Sequence, residues 1–205
     1  MNKKNLSKVT VILRGYTYEQ IRCVAKVLVD SPIRNIEITL NSPDVFTSIR
    51  KIKEEFNSLN VGAGSVCTFE DTQKSIESGV DFILSPISLS KESIRLCKDN
   101  GVVCVPAAMT PSEIYKMFED GADIVKVFPA TTVGAKFFKD VQAPLGDLDL
   151  MAVGGVSGAN AKDFIDNKCK YLGIGSGIFE KEDIKNMNLK NLELSLNKFI
   201  KSTEV

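Results

Sequence analysis

Histidine and tryptophan are absent from the 205-residue sequence, and its 26 Lys and Arg residues are balanced by 26 Asp and Glu residues. Without histidine, the chain has no imidazole base, no Ser–His or Cys–His nucleophile pair and no histidine ligand for zinc. The balanced charge gives no overall field that would attract nucleic acid or an anionic membrane. Acid–base chemistry near neutral pH therefore falls to carboxylates, lysines or thiolates with shifted pKa values.

Long apolar runs, flexible linkers and Cys-x-x-Cys pairs are also missing. No run approaches the roughly 20 residues that span a bilayer. The polar N-terminus is not followed by a signal-like apolar region, so we expect a cytoplasmic protein with no membrane partner. The five cysteines are expected to be reduced thiols. Because no Pro/Gly/Ser-rich boundary interrupts the chain, residues 1–205 are predicted to form one domain.

A short unit recurs along the chain: an apolar run, a polar or glycine-rich turn, and an amphipathic segment that ends at glycine. Gly79, Gly101 and Gly121 stand where a helix needs a left-handed residue before the next strand. The apolar runs predict eight strands, near 8–14, 35–40, 60–65, 81–85, 102–106, 123–128, 149–153 and 171–174.

Capping residues predict where the intervening helices begin. These starts are at Thr17, Ser42, Thr68, Thr110 and Ser157, and a last helix carries Leu189, Leu192, Leu196 and Phe199 on one face. Alternating strands and helices require a parallel sheet covered by helices. Eight such repeats favour a single-domain α/β fold of the (β/α)8 TIM-barrel type over an open, doubly wound sheet.

Polar side chains recur on one face of three predicted strands. If the apolar faces contact the helices, the polar set points into the barrel: Arg14, Glu37, Thr39, Asn41 and Lys126. A lysine and a glutamate inside a closed barrel are costly unless they are paired or used. A structural ion pair is one interpretation, and a lysine at a strand edge or with its stem reaching solvent is another.

Catalysis is the favoured interpretation of Lys126 and Glu37. A desolvated amine near another cation loses its proton more easily, so it can attack a carbonyl carbon and form a Schiff base. An apolar environment raises the pKa of a carboxyl group, which suits Glu37 to transfer protons near pH 7. Together the two residues predict imine chemistry on an oxo substrate.

Glycine clusters follow the last two predicted strands, at 153–157 (VGGVS) and 172–177 (LGIGSG). Glycines there let backbone N–H groups converge on an anion, which favours phosphate binding, and plain tight turns are the alternative. Neither cluster matches Gly-x-Gly-x-x-Gly and no Walker sequence is present, so nucleotide binding is disfavoured. Ser65, at the end of the third predicted strand, is either a carboxylate ligand or part of a simple turn.

Five segments together carry a resemblance to a known family: 11–15 (VILRG), 36–43 (IEITLNSP), 61–66 (VGAGSV), 125–130 (VKVFPA) and 152–156 (AVGGV). They resemble the class I aldolases that cleave 2-keto-3-deoxy-6-phosphogluconate and 4-hydroxy-2-oxoglutarate. The resemblance implies a (β/α)8 barrel, usually a homotrimer, that produces pyruvate and an aldehyde without a metal or another cofactor.

The same resemblance implies roles for individual residues. Lys126 matches the Schiff-base lysine and Glu37 the general acid and base. Substrate-binding positions match Arg14, Phe128 beside the imine, and Ser65, where the family usually has a carboxylate-binding threonine. The phosphate-binding positions match Gly154, Gly155, Gly175 and Ser176.

Asn41 and Pro86 are the two further substrate-binding positions, and the sequence departs from the gluconate branch at Asn41 and next to Pro86. Asn41 replaces its usual arginine and is similar to the 2-keto-3-deoxy-6-phosphogalactonate aldolases, and Ile87 replaces the glycine that usually follows Pro86. The expected activity is cleavage of the phosphogluconate to pyruvate and glyceraldehyde 3-phosphate, with 4-hydroxy-2-oxoglutarate (to pyruvate and glyoxylate) as another candidate substrate. The galactonate epimer is the first alternative. A barrel that only binds a phosphometabolite, or a phosphosugar isomerase or epimerase, are alternatives of other classes.

Overall fold

Nine parallel β-strands form one sheet in the computed structural model, which describes residues 6–203. The strands are β1 (Val9–Leu13), β2 (Asn35–Thr39), β3 (Asn60–Gly64), β4 (Phe82–Leu84), β5 (Val103–Val105), β6 (Ala107–Ala108), β7 (Val125–Val127), β8 (Leu150–Val153) and β9 (Tyr171–Ile174). Their order in the sheet is β5-β4-β3-β2-β1-β9-β8-β7-β6.

The strand count exceeds the predicted eight because one strand is interrupted. Pro106 separates β5 from β6, and proline has no N–H to donate to the neighbouring strand. The two edges of the sheet are therefore consecutive pieces of one chain segment. The N–H of Lys126 in β7 donates to the carbonyl of Pro106 (2.8 Å), and the N–H of Asp123, just before β7, donates to the carbonyl of Cys104 in β5 (3.2 Å). The segment 123–127 therefore joins both pieces. The predicted TIM-barrel fold is confirmed.

Helices connect the strands and cover the outside of the barrel. They are α1 (Tyr18–Leu28), α2 (Val45–Glu55), α3 (Phe69–Glu77), α4 (Lys91–Asp99), α5 (Pro111–Glu119), α6 (Ala130–Val133), α7 (Lys136–Leu145), α8 (Ala161–Asp166), α9 (Lys181–Lys185) and α10 (Leu189–Thr203). Within residues 6–203, no helix combines the length and apolar character needed to cross a bilayer.

Capping chemistry sets the start of α3 as the sequence predicts. The N–H of Asp71 donates to the Thr68 hydroxyl and the N–H of Thr68 donates back to the Asp71 carboxylate, each at 3.0 Å. Thr110 and Glu113 make the same reciprocal pair at α5.

Two helices begin later than predicted because the expected caps bind within loops. The Ser42 hydroxyl accepts the N–H of Gly15 (2.9 Å), which ties the β1 and β2 ends together, and α2 begins only at Val45. The N–H of Ser157 donates to Asn160 (2.9 Å), so that α8 begins at Ala161.

The apolar core has two parts, one on each side of the sheet. The larger part lies between the sheet and the helices, and α10 contributes Leu192, Leu196 and Phe199 to it. The smaller part fills the barrel and consists of Phe82, Leu84, Val103, Val105, Ile124, Met151 and Val153. Alternate residues of each short strand therefore serve the two parts, as the two-residue period of a strand requires.

Glycines on β3 make room for large neighbours inside the barrel. A Cβ added at Gly62 would lie 2.2 Å from the Phe82 ring. An alanine there forces Phe82 away from its position or shifts the strand, and such overpacking is destabilising. The mutual fit of Gly62 and Phe82 thus connects β3 to β4 through the barrel interior.

We predict that Gly62→Ala lowers the free energy of unfolding by about 1–3 kcal/mol or more. Urea denaturation monitored by circular dichroism checks this value. Gly175→Ala is the matched control, because a Cβ at Gly175 meets no atom within 4 Å. The cost in Gly62→Ala should shrink in the Phe82→Leu background, and equal costs in both backgrounds would contradict the proposed fit.

Candidate active site

Lys126 lies in the middle of β7 with only 5% of its surface exposed. Its Nζ is 5.1 Å from the centre of the Phe128 ring. Burial lowers the pKa of Lys126; Glu37 opposes this shift and Arg14 adds to it. An amine with a lowered pKa is more often neutral, and only the neutral amine is a nucleophile.

Glu37 occupies the middle of β2 and is 2% exposed. Its Oε2 is buried and has no hydrogen-bond partner among residues 6–203. Burial raises the pKa of Glu37 to about 7, against the opposing attraction of Lys126 and Arg14. A carboxyl group with this pKa can both accept and donate a proton near neutral pH.

Space for the Glu37 carboxyl comes from a missing side chain on the neighbouring strand. A Cβ at Gly64 would lie 1.5 Å from Glu37 Oε1, so no larger residue fits without moving the carboxyl group. The pairing of β2 with β3 sets Thr39 beside Gly64 and Glu37 beside Gly62. Of the two glycines of β3, Gly62 thus makes room for Phe82 of the core and Gly64 for Glu37 of the site.

The strand order places Lys126 and Glu37 on opposite walls of the barrel. Strands β1, β9 and β8 lie between β2 and β7 in the sheet. A Cβ on Gly64 would project onto Glu37, on the same face of β3 from which a Cβ on Gly62 would meet Phe82 inside the barrel. Lys126 lies two residues after Ile124, which also packs inside the barrel, so both side chains enter the same interior. The inward direction expected from strand alternation is therefore what the structure shows for this pair.

Arg14 and Ser65 meet at the open end of the barrel. The Arg14 guanidinium donates a hydrogen bond of 3.1 Å to the Ser65 hydroxyl. Ser65 has a φ of +61°, in the left-handed region that non-glycine residues seldom occupy. Such local strain concentrates at functional sites, where the surrounding structure holds it. A cation and a hydroxyl are thus placed together near the buried pair.

A cavity of about 480 Å³ opens beside Arg14 at the ends of β8 and β9. The four glycine and serine positions predicted to bind phosphate all line it: Gly154, Gly155, Gly175 and Ser176. Gly154 and Gly155 have φ values of +98° and +74°, and a Cβ at Gly155 would lie 2.5 Å from the Thr131 hydroxyl. Glycine is therefore required by both the backbone conformation and the available space.

Four backbone N–H groups around this cavity have no acceptor among the described residues. The N–H groups of Gly155, Val156, Ser176 and Gly177 donate no hydrogen bond to any residue from 6 to 203. Converging free N–H groups in glycine-rich turns form anion-binding sites. Since α8 begins only at Ala161, the turns themselves provide these donors.

Asn41 and Pro86 are not in this cavity. Asn41 is exposed and its side-chain oxygen accepts a hydrogen bond of 2.6 Å from the Thr39 hydroxyl. Pro86 lines a separate cavity of about 350 Å³, which also includes Ile87 and Phe128. Phe128 links this second cavity to the buried lysine, since its ring also lies beside the Lys126 amine.

Three residues of the site carry no signal that identified them in the sequence. Gly64 lies in the third strand as predicted, but nothing in the sequence shows that this glycine accommodates Glu37. Tyr16 and Lys181 line the glycine-rich cavity. Lys181 stands in the charged segment FEKED, which is indistinguishable from an ordinary solvated helix.

Cysteines and carboxylates are the remaining candidates for metal ligands in a chain without histidine. All five cysteines are free, and Cys67 is the exposed one. Among the described residues, no group of three or more Cys, Asp or Glu side chains is arranged to hold a metal ion.

Comparison with known proteins identifies similar sequences and folds. Residues 1–194 match the family model described as "Aldolase: KDPG and KHG aldolase". The chain is 34% identical over 171 residues to a probable 2-dehydro-3-deoxy-6-phosphogalactonate aldolase from Rhizobium meliloti, covering 82% of this chain and 80% of that protein. The 2-dehydro-3-deoxy-6-phosphogalactonate aldolase of Escherichia coli K12 is 31% identical, with 82% of each chain covered. A solved structure titled "Native KDPGal structure" superposes with a TM-score of 0.85 at 27% identity, covering 96% of both chains.

We predict that Glu37 makes the stability of the protein depend on pH. Its pKa in the folded protein, about 7, exceeds its ordinary value of 4.5. Between these values the folded state retains a proton that the unfolded chain loses, so the stability contributed by Glu37 falls as pH rises from about 4.5 to 7.

The test is urea unfolding of the wild type and Glu37→Gln at pH 5 and pH 8. The variant cannot ionise at this position, so its stability relative to the wild type should be greater at pH 8 than at pH 5 by about 2 kcal/mol. A difference that does not change with pH would show that Glu37 ionises normally in the folded barrel.

Proposed function

The chain belongs to the KDPG and KHG aldolase family and is thus an aldolase, and we propose that it cleaves a 2-keto-3-deoxy-6-phosphoaldonate to pyruvate and glyceraldehyde 3-phosphate through a Schiff base on Lys126. The single observation that carries the mechanism is the burial of Lys126 and Glu37 in one interior, with their pKa values shifted toward neutrality. Family membership disfavours a barrel that only binds its ligand.

The proposed reaction begins with the neutral amine of Lys126. Nζ attacks the C2 carbonyl carbon, and loss of water from the carbinolamine leaves an iminium ion. Glu37 accepts the proton of the C4 hydroxyl while the C3–C4 bond breaks. The electron pair of the C3–C4 bond moves into the iminium and forms an enamine. The aldehyde leaves, Glu37 returns a proton to C3 of the enamine, and water hydrolyses the imine to release pyruvate and the free amine.

Substrate orientation follows from the two polar regions at the barrel mouth. We infer that Arg14 and Ser65 bind the C1 carboxylate, because they place a cation and a hydroxyl together near the Lys126 amine. The free N–H groups of the glycine-rich turns would bind the phosphate at C6. Phe128 would lie against the imine.

The gluconate and galactonate substrates differ only in their configuration at C4. Two relatives above 30% identity bear the galactonate name, and Asn41 stands where the gluconate branch has arginine, so we propose the galactonate epimer as the better substrate. Cleavage of the gluconate epimer, expected first from the sequence, stays a prediction. 4-Hydroxy-2-oxoglutarate lacks a phosphate, so it would use the carboxylate-binding region alone.

We also propose that this barrel acts as a homotrimer in the cytoplasm, with residues 1–205 as one functional unit. Both proposals rest on the family resemblance. Light scattering coupled to size-exclusion chromatography measures the oligomeric state directly.

Borohydride reduction in the presence of pyruvate should attach one reduced pyruvate to Lys126. Peptide mass spectrometry identifies the modified residue. Lys126→Met should show no adduct, whereas Glu37→Gln retains the amine and should still be modified. An adduct confined to a different lysine, with Lys126 unmodified in folded protein, would disprove the proposed Schiff base.

Steady-state cleavage of both phosphorylated epimers, coupled to lactate dehydrogenase, tests the substrate. We expect kcat/KM to be higher for the galactonate epimer, and Asn41→Arg to reduce this preference. Glu37→Gln should lower kcat by about 10²–10⁴-fold, the usual contribution of a general acid or base. Equal or greater activity on the gluconate epimer would overturn the proposed preference, and an absence of pyruvate from every substrate would overturn the function.

A further inference from the structure

The glycine-rich cavity contains two charged side chains among its lining residues, Arg14 and Lys181. Backbone N–H groups alone leave a phosphate dianion without a full positive charge nearby. Charge-assisted hydrogen bonds to such an anion are about twice as strong as neutral ones. The source of positive charge therefore matters for any phosphorylated ligand in this cavity.

Arg14 lines the cavity, and it also makes interactions outside the glycine-rich turns. Its guanidinium donates to the Ser65 hydroxyl, and its charge acts on both Glu37 and Lys126. These interactions hold the Arg14 charge near the reacting carbons and the carboxylate end. Lys181 is the second cation that lines the cavity, and it has no such interaction with Ser65 or with the buried pair.

The acidic neighbours of Lys181 are occupied elsewhere. Glu182 forms an ion pair with Lys185 (2.8 Å), and the Asp183 carboxylate accepts a hydrogen bond from the Asn191 side chain (2.8 Å). Glu180 lines a different groove, between the 157–159 loop and α10. Lys181 itself forms no ion pair with any residue from 6 to 203. Its ammonium group is therefore available to an anion in the cavity.

Tyr16 adds a hydroxyl group to the lining of the glycine-rich cavity. It is half-buried, lines the cavity, and has a pKa raised mainly by burial, with Lys185 lowering it and Glu182 raising it. The hydroxyl is thus protonated at neutral pH and can donate a hydrogen bond. The cavity combines free N–H groups, a hydroxyl and an uncommitted ammonium group.

We propose that Lys181 is a specificity-determining residue, whose ammonium group pairs with the substrate phosphate and sets the preference for phosphorylated over unphosphorylated substrates. This inference rests on the proposed function for the identity of the substrate. The anion site itself rests only on the cavity geometry, so the two can be tested separately.

The first experiment measures binding of inorganic phosphate by calorimetry to the wild type, Lys181→Gln and Lys198→Gln. Lys198 lines the neighbouring groove rather than this cavity, which makes its variant the matched control. We expect the Kd for phosphate to rise about tenfold in Lys181→Gln, equivalent to about 1.4 kcal/mol, and to stay unchanged in the control. An unchanged Kd in Lys181→Gln, or an equal rise in both variants, would overturn the inference.

The second experiment compares two aldehydes in the condensation with pyruvate, D-glyceraldehyde 3-phosphate and D-glyceraldehyde. The ratio of their kcat/KM values should fall about tenfold in Lys181→Gln, mainly through KM for the phosphorylated aldehyde, and stay constant in Lys198→Gln. A constant ratio in Lys181→Gln refutes the role in specificity. If the wild type condenses neither aldehyde, the proposed function fails, and the phosphate Kd still decides whether Lys181 binds the anion.

Discussion

The architecture of the barrel depends on one constraint: an amine and a carboxyl group are buried away from water and still keep their reactivity. Lys126 and Glu37 are both buried inside a ring of strands, where an isolated charge would be costly. Burial pushes the two pKa values toward each other, and the mutual attraction limits both shifts. Closure of the barrel makes this possible, because opposite strands direct their side chains into one shared interior.

Neighbouring features of the barrel support this pair. Gly64 leaves room for the Glu37 carboxyl, and the carbonyl of Pro106 accepts the N–H of Lys126 and fixes β7 at the seam between β5 and β6. At the barrel mouth, above Lys126 and Glu37, two regions offer different binding groups. One end offers side-chain groups on Arg14 and Ser65, and the other offers backbone N–H groups from glycine-rich turns. A substrate with a carboxylate at one end and a phosphate at the other matches this division.

Local sequence patterns predicted the barrel and its buried pair because the relevant rules are local. Strand alternation fixes which face a residue occupies once the burial of the other face is known, and this applied to Glu37 and Lys126. The helix starts at Thr68 and Thr110 also follow from side chains within three residues. The later starts of α2 and α8 did not, because Ser42 binds a distant loop at Gly15 and Ser157 is held by Asn160.

Residues that act through tertiary contacts were the ones missed. Gly64 is required only because Glu37 occupies the space beside it, and Lys181 matters only because the turns after β8 and β9 lie next to α9. Neither of these tertiary contacts can be recognised from the spacing or the composition of the residues. Pro106 can be read from the sequence. Its effect on the number of strands cannot, because that effect depends on the partner strand that the missing N–H would have joined.

A crystal structure of the protein soaked with pyruvate and flash-cooled tests the central claim most directly. We expect continuous electron density between Lys126 Nζ and C2 of pyruvate, with the Glu37 carboxyl facing the bound carbon chain. Pyruvate held in the barrel without a covalent bond to Lys126 would show that Lys126 and Glu37 only stabilise the barrel.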